Sequence, residues 1–590
     1  MEKWLVATKK ADFQEWSREF NIDQVVARII RNRDVTETEE VRKFLYGTIQ
    51  DCHSPWLLHG MEQAVGLLLE EIEKGSYIRV IGDYDVDGIC SSYILTYGIQ
   101  MMGGKVDTAI PHRMKDGYGL NEHLIQEAHD AGVECIVTCD NGISAYEQVR
   151  MAKDMGMCVI ITDHHEIPFE EDAEGRHEIL PPADVIVNPK QESCTYPFKN
   201  ICGAVVAYKV IQALCEKRNH PETEEILKNL LPFAAMATVC DVMELKDENR
   251  ILVKEGLKQI KDSSNLGLKA LFEVNDIEPA KANAYHLGFV IGPCLNATGR
   301  LDTALRALEL LQSKNKAEAM IAATELKELN DSRKNLTLKG VEEAECQIQE
   351  KKLYEDKVMV VYLPNVHESL AGIIAGRVRE RYHHPVFVLT DGEEGVKGSG
   401  RSIEAYHMYD SMVQVKEYFS KFGGHKLAAG LSLCNGDVEA FRKAINAAAV
   451  LTEEDFVPIV HIDVPMPLEY AGFELAKQLE RLEPFGVGNP KPLFAQKDVL
   501  FIGAKRIGAK GNFAKFTVQI MKDGMESREE LMYFGDVEAF CTFLDNKYGE
   551  NSAEELFAGN GKYAVSVTYQ AGINSYRGRE TAQFIMQNYC

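Results

Sequence analysis

Seven residues, GDYDVDG from Gly82 to Gly88, place carboxylates at every second position, Asp83, Asp85 and Asp87, directly after the apolar run YIRVI. Three more apolar runs end in the same kind of residue: Asp140 follows ECIVTC, Asp163, His164 and His165 follow CVIIT, and Asp241 follows FAAMATVC. Carboxylates brought close raise one another's pKa, and several that stay ionised need a cation beside them. Oxygen-rich ligand sets with one or two imidazoles suit Mn2+ or Mg2+, whereas zinc and copper favour thiolates. The chemistry open to such a cluster is hydrolysis assisted by two ions about 3.5–4 Å apart, which acidify a water, align it with a phosphorus and neutralise the departing oxygen. Singly, Asp83 or Asp163 could equally be a turn residue or a helix N-cap. The set as a whole resists that explanation.

For these side chains to meet, the segments that carry them must end on one rim. From Tyr77 onward, short β-rich runs (YIRVIG, KVDTAIP, ECIVTC, CVIIT, DVIVN) alternate with helical ones (GICSSYILTYGIQMM, HLIQEAHDAG, AYEQVRMAKDMG). That alternation predicts a parallel sheet covered by helices on both faces, with its functional crevice beyond the carboxyl ends of the strands. Residues 1–72 read as a helical N-terminal region, since MEQAVGLLLEEIEK spaces its apolar residues for one helix face. The catalytic α/β domain is expected over 73–320 and a long connecting helix over 321–353. A second α/β domain over 354–455 begins at KVMVVYLPN and carries the glycine-rich GVKGSGRS and FGGHKLAAG. Five strand-like runs over 456–590 predict a small closed β-barrel.

Substrate contacts need donors, and the second α/β domain supplies them. GSGRS sets Arg401 and Ser402 among small residues, so backbone N–H groups can approach a phosphate while the guanidinium forks onto its oxygens. GGHKLAAG offers His425 in a similar setting. In the barrel, residues 495–522 hold six Lys or Arg against one Asp, inside a chain of formal charge -25. Basic residues interleaved with aromatics (Phe501, Phe513, Phe516, Tyr533, Tyr569) are how an OB-fold tracks a single strand, although most strand aromatics are expected to pack inward. Lys505, Arg506, Lys510 and Arg577 are the better candidates for contact. The overall acidity argues against indiscriminate nucleic-acid binding, leaving local patches to decide. The 14 cysteines include no C-x-x-C pair and suit reduced, packed thiols. No run approaches the about 20 apolar residues of a spanning helix, and the first residues lack the apolar centre of a signal peptide, so a cytoplasmic location is expected.

In their order and spacing, GDYDVDG, CDNGIS, TDHH and ATVCDV resemble the four metal-binding motifs of the DHH phosphoesterase superfamily, named for the triplet that stands here as Asp163, His164 and His165. PHRMKDGYGL, ICGAVVAYK, IGPCLNATGRLDTA, LNDSRK, HESLAGIIAGRV, GSGRS, FGGHKLAAG and LEPFGVGNPKPLF extend the resemblance, from about residue 70 to the end, to the branch of bacterial single-strand-specific 5'-to-3' exonucleases. That resemblance implies a DHH catalytic domain, a DHH-associated domain and an OB-fold. It implies one metal ion held by Asp87, Asp140, His164 and Asp241, and a second by Asp85 with Asp140 shared, while Asp83 and His165 complete or orient the site. It also implies that Arg113, Arg300, Arg401 and Ser402 lie near the 5'-terminal phosphate, that the substrate is single-stranded DNA, and that the role is in DNA repair and recombination. A helicase and a single-strand-binding protein become expected partners of a monomer. Two departures stand out: Ile81 replaces the histidine that the superfamily's pyrophosphatases carry, which counts against that activity, and Cys294 stands where relatives commonly have arginine. The alternatives are a DHH phosphodiesterase for short oligonucleotides or cyclic dinucleotides, and a catalytically inactive DNA-binding scaffold.

Overall fold

The computed structural model describes residues 2–112, 119–172, 175–392, 395–434, 436–522 and 524–590. Arg113, one of the expected phosphate contacts, lies outside the described residues. The chain folds as two compact units, one comprising Ser54–Asp241 and Gly256–Pro458, the other Lys3–His53, Val242–Glu255 and Ile459–Cys590.

The first unit opens with the expected alternation: β1 (Tyr77–Ile81), α1 (Val86–Met101), β2 (Lys105–Ala109), α2 (Glu122–Asp130), β3 (Cys135–Cys139), α3 (Tyr146–Asp154), β4 (Cys158–Thr162) and β5 (Val185–Val187). All neighbours pair in parallel, in the order β2-β1-β3-β4-β5. Strands β3 and β4 are β-branched, apolar and buried along nearly their whole length, as a sheet covered on both faces requires. The strand order reverses between β1 and β3, and a doubly wound sheet places its ligand crevice at that point, beyond the strand ends. Helices α4 (Gly203–Arg218) and α5 (Thr223–Cys240) pack against α1, which is buried along most of its length, with Gln100 left exposed.

Helix α6 (Gly292–Leu301) leads to α7 (Lys316–Glu350), whose 35 residues span about 52 Å at 1.5 Å per residue. Asn315 caps α7 by accepting from the N–H groups of Ala317 and Glu318, so the helix starts before the expected residue 321. Beyond it come β6 (Met359–Tyr362), α8 (Ala371–Tyr382), β7 (Val386–Gly392), β8 (Gly395–Arg401), β9 (Phe419–Gly424) and β10 (Ala428–Leu433). Their sheet runs β9-β10-β8-β7-β6, parallel only between β7 and β6.

The second unit holds the barrel: β11 (Phe494–Ile507), β12 (Phe513–Lys522), β13 (Met525–Tyr533), β14 (Tyr563–Tyr576) and β15 (Arg579–Tyr589), closed by pairing of β14 with β11. The helices Phe13–Phe20, Gln24–Asn32 and Thr38–Tyr46 bury Trp16, Val26, Ile29 and Phe44 in the same core as barrel residues Phe501 and Phe516. Arg33 forks onto Asp463 at 2.6 and 3.0 Å. The segment up to residue 72 is thereby divided, because its last helix, Met61–Lys74, belongs to the first unit. Periodicity predicts that a helix has an apolar face but not which core will cover it. Among the described residues, no helix is long and apolar enough to cross a membrane.

Candidate metal centre and phosphate site

The aspartate loop leaves β1 at the switch point. Asp85 is the N-cap of α1: its Oδ1 accepts the N–H groups of Asp87 at 2.9 Å and Gly88 at 3.1 Å. An ordinary capping interaction therefore fixes one member of the cluster. Asp87 lies in the first turn and is buried, with its two carboxylate oxygens accepting the N–H groups of Gly203 and Ala204 at 2.6 and 2.7 Å. Those two groups open α4, so the positive end of that helix faces the carboxylate. Asn296 of α6 accepts the N–H of Val86 at 3.1 Å and ties the loop down from a third side.

Asp140, directly after β3, adopts φ 60, in the left-handed region where a non-glycine residue is uncommon. Gly203 explains how it fits: a Cβ on that residue would lie 2.7 Å from the Cβ of Asp140. The triplet after β4 divides its labour. Asp163 is buried and accepts the N–H groups of Ile143, His164 and His165 at 2.9, 2.7 and 3.1 Å, and also Nδ1 of His165 at 2.8 Å. Its oxygens brace the loop. His164 turns the other way, with Nε2 at 3.0 Å from Asp140, 3.5 Å from Asp87 and 3.8 Å from Asp241. Asp241 enters from the C-cap of α5.

Ligand atoms of Asp87, His164 and Asp241 all lie within 4.8 Å of one another, as do those of Asp83, Asp85 and Asp140, and those of Asp140, His164 and His165. Burial, and then the carboxylates around it, push Asp140 far above the usual carboxylate range and Asp85 upward in the same direction. The same causes raise Asp241 to about 8. Burial lowers the pKa of His164. Burial also opposes protonation of His165, but the Asp163 carboxylate outweighs it and lifts the imidazole to about 9.

This donor set fits divalent cations: oxygen-rich, with one or two imidazoles, and under like-charge stress that a cation would relieve. The thiols nearby do not compete as ligands. Cys90, Cys139, Cys202 and Cys240 have their pKa values raised by burial, which keeps them protonated.

A second cluster gathers at the start of α8. Arg300 donates Nη1 to the carbonyl of Ser369 at 2.8 Å, and a Cβ on Gly372 would lie 2.9 Å from Nη2 of Arg401. Arg401 is largely buried and forms no ion pair among the described residues; burial, followed by repulsion from Arg379, holds its pKa below the usual guanidinium value. A cation so placed, beside a helix N-terminus, is short of an anion. The Ser402 side chain beside it is buried, and its hydroxyl donates to the Tyr406 carbonyl at 2.7 Å. His425 is exposed in the turn between β9 and β10, where its N–H bonds the Ala428 carbonyl at 2.8 Å.

The barrel's basic stretch is less free than its composition suggests. Arg506 pairs with Glu538 of the helix Val537–Tyr548 at 2.7 Å, and Lys515 pairs with Glu530 at 2.7 Å, because β13 lays its glutamates beside β12. Lys505, Lys510 and Arg577 stay exposed. Phe501, Phe516, Tyr533 and Tyr569 lie in the barrel core, as strand aromatics usually do, and Phe513 is partly buried. Two groups carry site geometry without having been singled out from the sequence: the N–H pair of Gly203 and Ala204, and the amide of Asn296. Both lie inside the motifs, but only the fold reveals what each touches.

Family models match the chain in three places: the DHH family, N-terminal domain over residues 77–238, the DHHA1 domain over 355–450 and the RecJ OB domain over 462–588. The single-stranded-DNA-specific exonuclease RecJ of Escherichia coli is 31% identical over 586 residues, covering 96% of this chain and 95% of that protein. Its Bacillus subtilis counterpart is 34% identical over 507 residues, covering 85% of this chain, which spans 62% of that longer relative. Among solved structures, RecJ from Thermus thermophilus in complex with Mn2+ superposes with TM-score 0.81 at 26% identity, covering 100% of this chain and 79% of that one. An exonuclease RecJ bound to manganese matches with TM-score 0.58 at 32% identity, over 67% of this chain and 96% of that one.

Proposed function

Since the chain belongs to the RecJ family of single-stranded-DNA-specific exonucleases, we propose that it hydrolyses single-stranded DNA from the 5' end and releases mononucleotides bearing a 5'-phosphate. The observation that carries the proposal is the meeting of Asp83, Asp85, Asp87, Asp140, His164 and Asp241 at the switch point of the sheet, from four segments remote in sequence. Two divalent ions, Mn2+ or Mg2+, would be held there, one by Asp87, Asp140, His164 and Asp241 and one by Asp85 and Asp83 with Asp140 shared, supplying positive charge, an acidified water and in-line alignment.

The chain's own groups do the positioning. Gly203 and Ala204 hold the Asp87 carboxylate in one rotamer, and Asp163 fixes His165 through Nδ1, leaving Nε2 for the substrate side. Arg401 and Arg300, gathered at the start of α8, receive the 5'-phosphate and set the end from which digestion proceeds. Lys505 and Lys510, exposed on the barrel, contact backbone phosphates of single-stranded DNA. Strand specificity is proposed to be steric. The intact ligand set argues against an inactive scaffold, and the barrel argues against a phosphodiesterase confined to short oligonucleotides. A role in DNA repair and recombination, delivery of the strand by a helicase or single-strand-binding protein, action as a monomer and a cytoplasmic location rest on the family alone.

The test is incubation with end-labelled single-stranded and duplex DNA in Mn2+. Mononucleotides should appear from single strands only and cease on chelation. Cleavage that survives chelation, or duplex degraded as fast as single strand, would remove the assignment.

A further inference from the structure

Helix α6 is the last part of a longer helical run, Ala284–His286 followed by a π-helical turn, Leu287–Ile291, and then Gly292–Leu301. π-turns inside α-helices are rare and occur mostly at functional sites. This one buries Leu287 and Ile291 and leaves Phe289 67% exposed, and Tyr285, in the segment just before it, is 63% exposed. The two rings, four residues apart, stack on each other with centroids 5.1 Å apart and planes 22° from parallel. Two adjacent aromatic rings held flat against each other in water form an apolar patch that the fold itself does not need covered.

The patch is rigidly mounted beside the metal centre. Asn283 caps the run, and its own N–H bonds the His286 ring. A Cβ on Gly288 would lie 3.1 Å from Val239 and one on Gly292 would lie 2.3 Å from Cys240 Sγ, so the π-turn rests on the last turn of α5, which delivers Asp241. Seven residues beyond Phe289, about 10 Å along a helix, Asn296 holds the aspartate loop. One continuous element therefore carries a pair of open π-faces at one end and part of the catalytic scaffold at the other.

From this geometry, and resting on the proposed exonuclease activity, we propose that Tyr285 and Phe289 form a stacking platform for a nucleobase of the single-stranded substrate, holding the strand in register with the metal centre. Stacking suits an enzyme that digests without regard to sequence, because every base presents a π-face. The platform is a positioning device and takes no part in bond breaking.

The test uses the full chain with Mn2+ and 5'-phosphorylated oligonucleotides, intact or carrying one abasic residue at successive positions from the 5' end. The wild type should show a raised KM when one particular position is abasic. Tyr285→Ala/Phe289→Ala should raise KM on the intact strand about tenfold, move kcat far less, and lose sensitivity to that abasic position. Tyr285→Phe/Phe289→Tyr, which keeps both rings, should retain wild-type KM. An Ala variant with wild-type KM, or one whose loss is the same on intact and abasic strands, would overturn the platform and leave the rings to a protein partner. Quenching of a 2-aminopurine base in the oligonucleotide, read without turnover, scores stacking separately, so that a wild-type protein that quenches without cleaving would refute the exonuclease reading and spare the platform.

Discussion

Oδ2 of Asp87 accepts the backbone N–H of Gly203 at 2.6 Å, across 116 residues of chain. The same glycine is the only residue type that can stand there without a side chain pressing on Asp140. Gly203→Ala is therefore expected to displace both carboxylates while leaving every proposed ligand present. Mn2+ affinity should fall about 10–100-fold, the range for groups that orient metal ligands. Calorimetric titration with Mn2+ measures it, and unchanged affinity would mean that the contact relaxes without consequence.

Asp140 stands in two of the three ligand groupings at once with partners from different segments, beside His164 and beside Asp83 and Asp85. Asp140→Ala should lower kcat on single-stranded DNA by on the order of 10³ or more, since transition-state electrostatics of the whole site depend on it. Single-turnover kinetics at saturating Mn2+ would show this. A loss confined to KM would contradict a shared ligand.

Removing divalent metal should make stability depend on pH with a defined sign. Asp241 is raised to about 8, first by burial and then by Asp87 and Asp85, and Asp140 moves in the same direction. A carboxyl that holds its proton more tightly folded than unfolded favours the folded state at low pH, and that contribution fades as pH climbs from the unfolded value near 4 to the folded one. Thermal unfolding in chelator should give a Tm that falls between about pH 5 and 8, with Mn2+ restoring most at the upper end. A chelated protein most stable at pH 8 would go against it.

Arg401 has a largely buried guanidinium without a carboxylate partner among the described residues. Arg401→Ala should raise KM for 5'-phosphorylated single strands about 10–100-fold, as expected for a charge-assisted pair, and leave Mn2+ binding intact. Arg401→Lys should recover little, because an ammonium cannot reproduce the fork. Equal KM for 5'-phosphorylated and 5'-hydroxyl strands in the wild type would argue that the phosphate does not sit there.

On the barrel, exposed Lys505 and Lys510 should behave unlike Arg506, which is held by Glu538. Charge reversal at either lysine should weaken single-strand binding and shift the slope of log K against log salt by about 1 per lost phosphate contact. Arg506→Ala should change the slope little. Fluorescence anisotropy across a salt series separates the two.

The sequence by itself determined the elements and the chemistry. Alternating apolar runs fixed β1 to β5 as strands of a covered parallel sheet, and carboxylates placed after those runs had nowhere to go but the carboxyl rim, so Asp85, Asp140 and His164 were legible as candidate metal ligands before any coordinate. Local pattern carries that information because burial and strand direction are properties of a few neighbouring residues. Only the tertiary structure decided which groups serve the cluster and which merely brace it: that Asp163 spends its oxygens on backbone N–H groups, that Ser402 turns inward to Tyr406, that β13 sets Glu530 beside Lys515, and that the first three helices share the barrel's core. Each of these depends on what arrives from a distant part of the chain, and neither residue type nor spacing encodes the partner across such a separation.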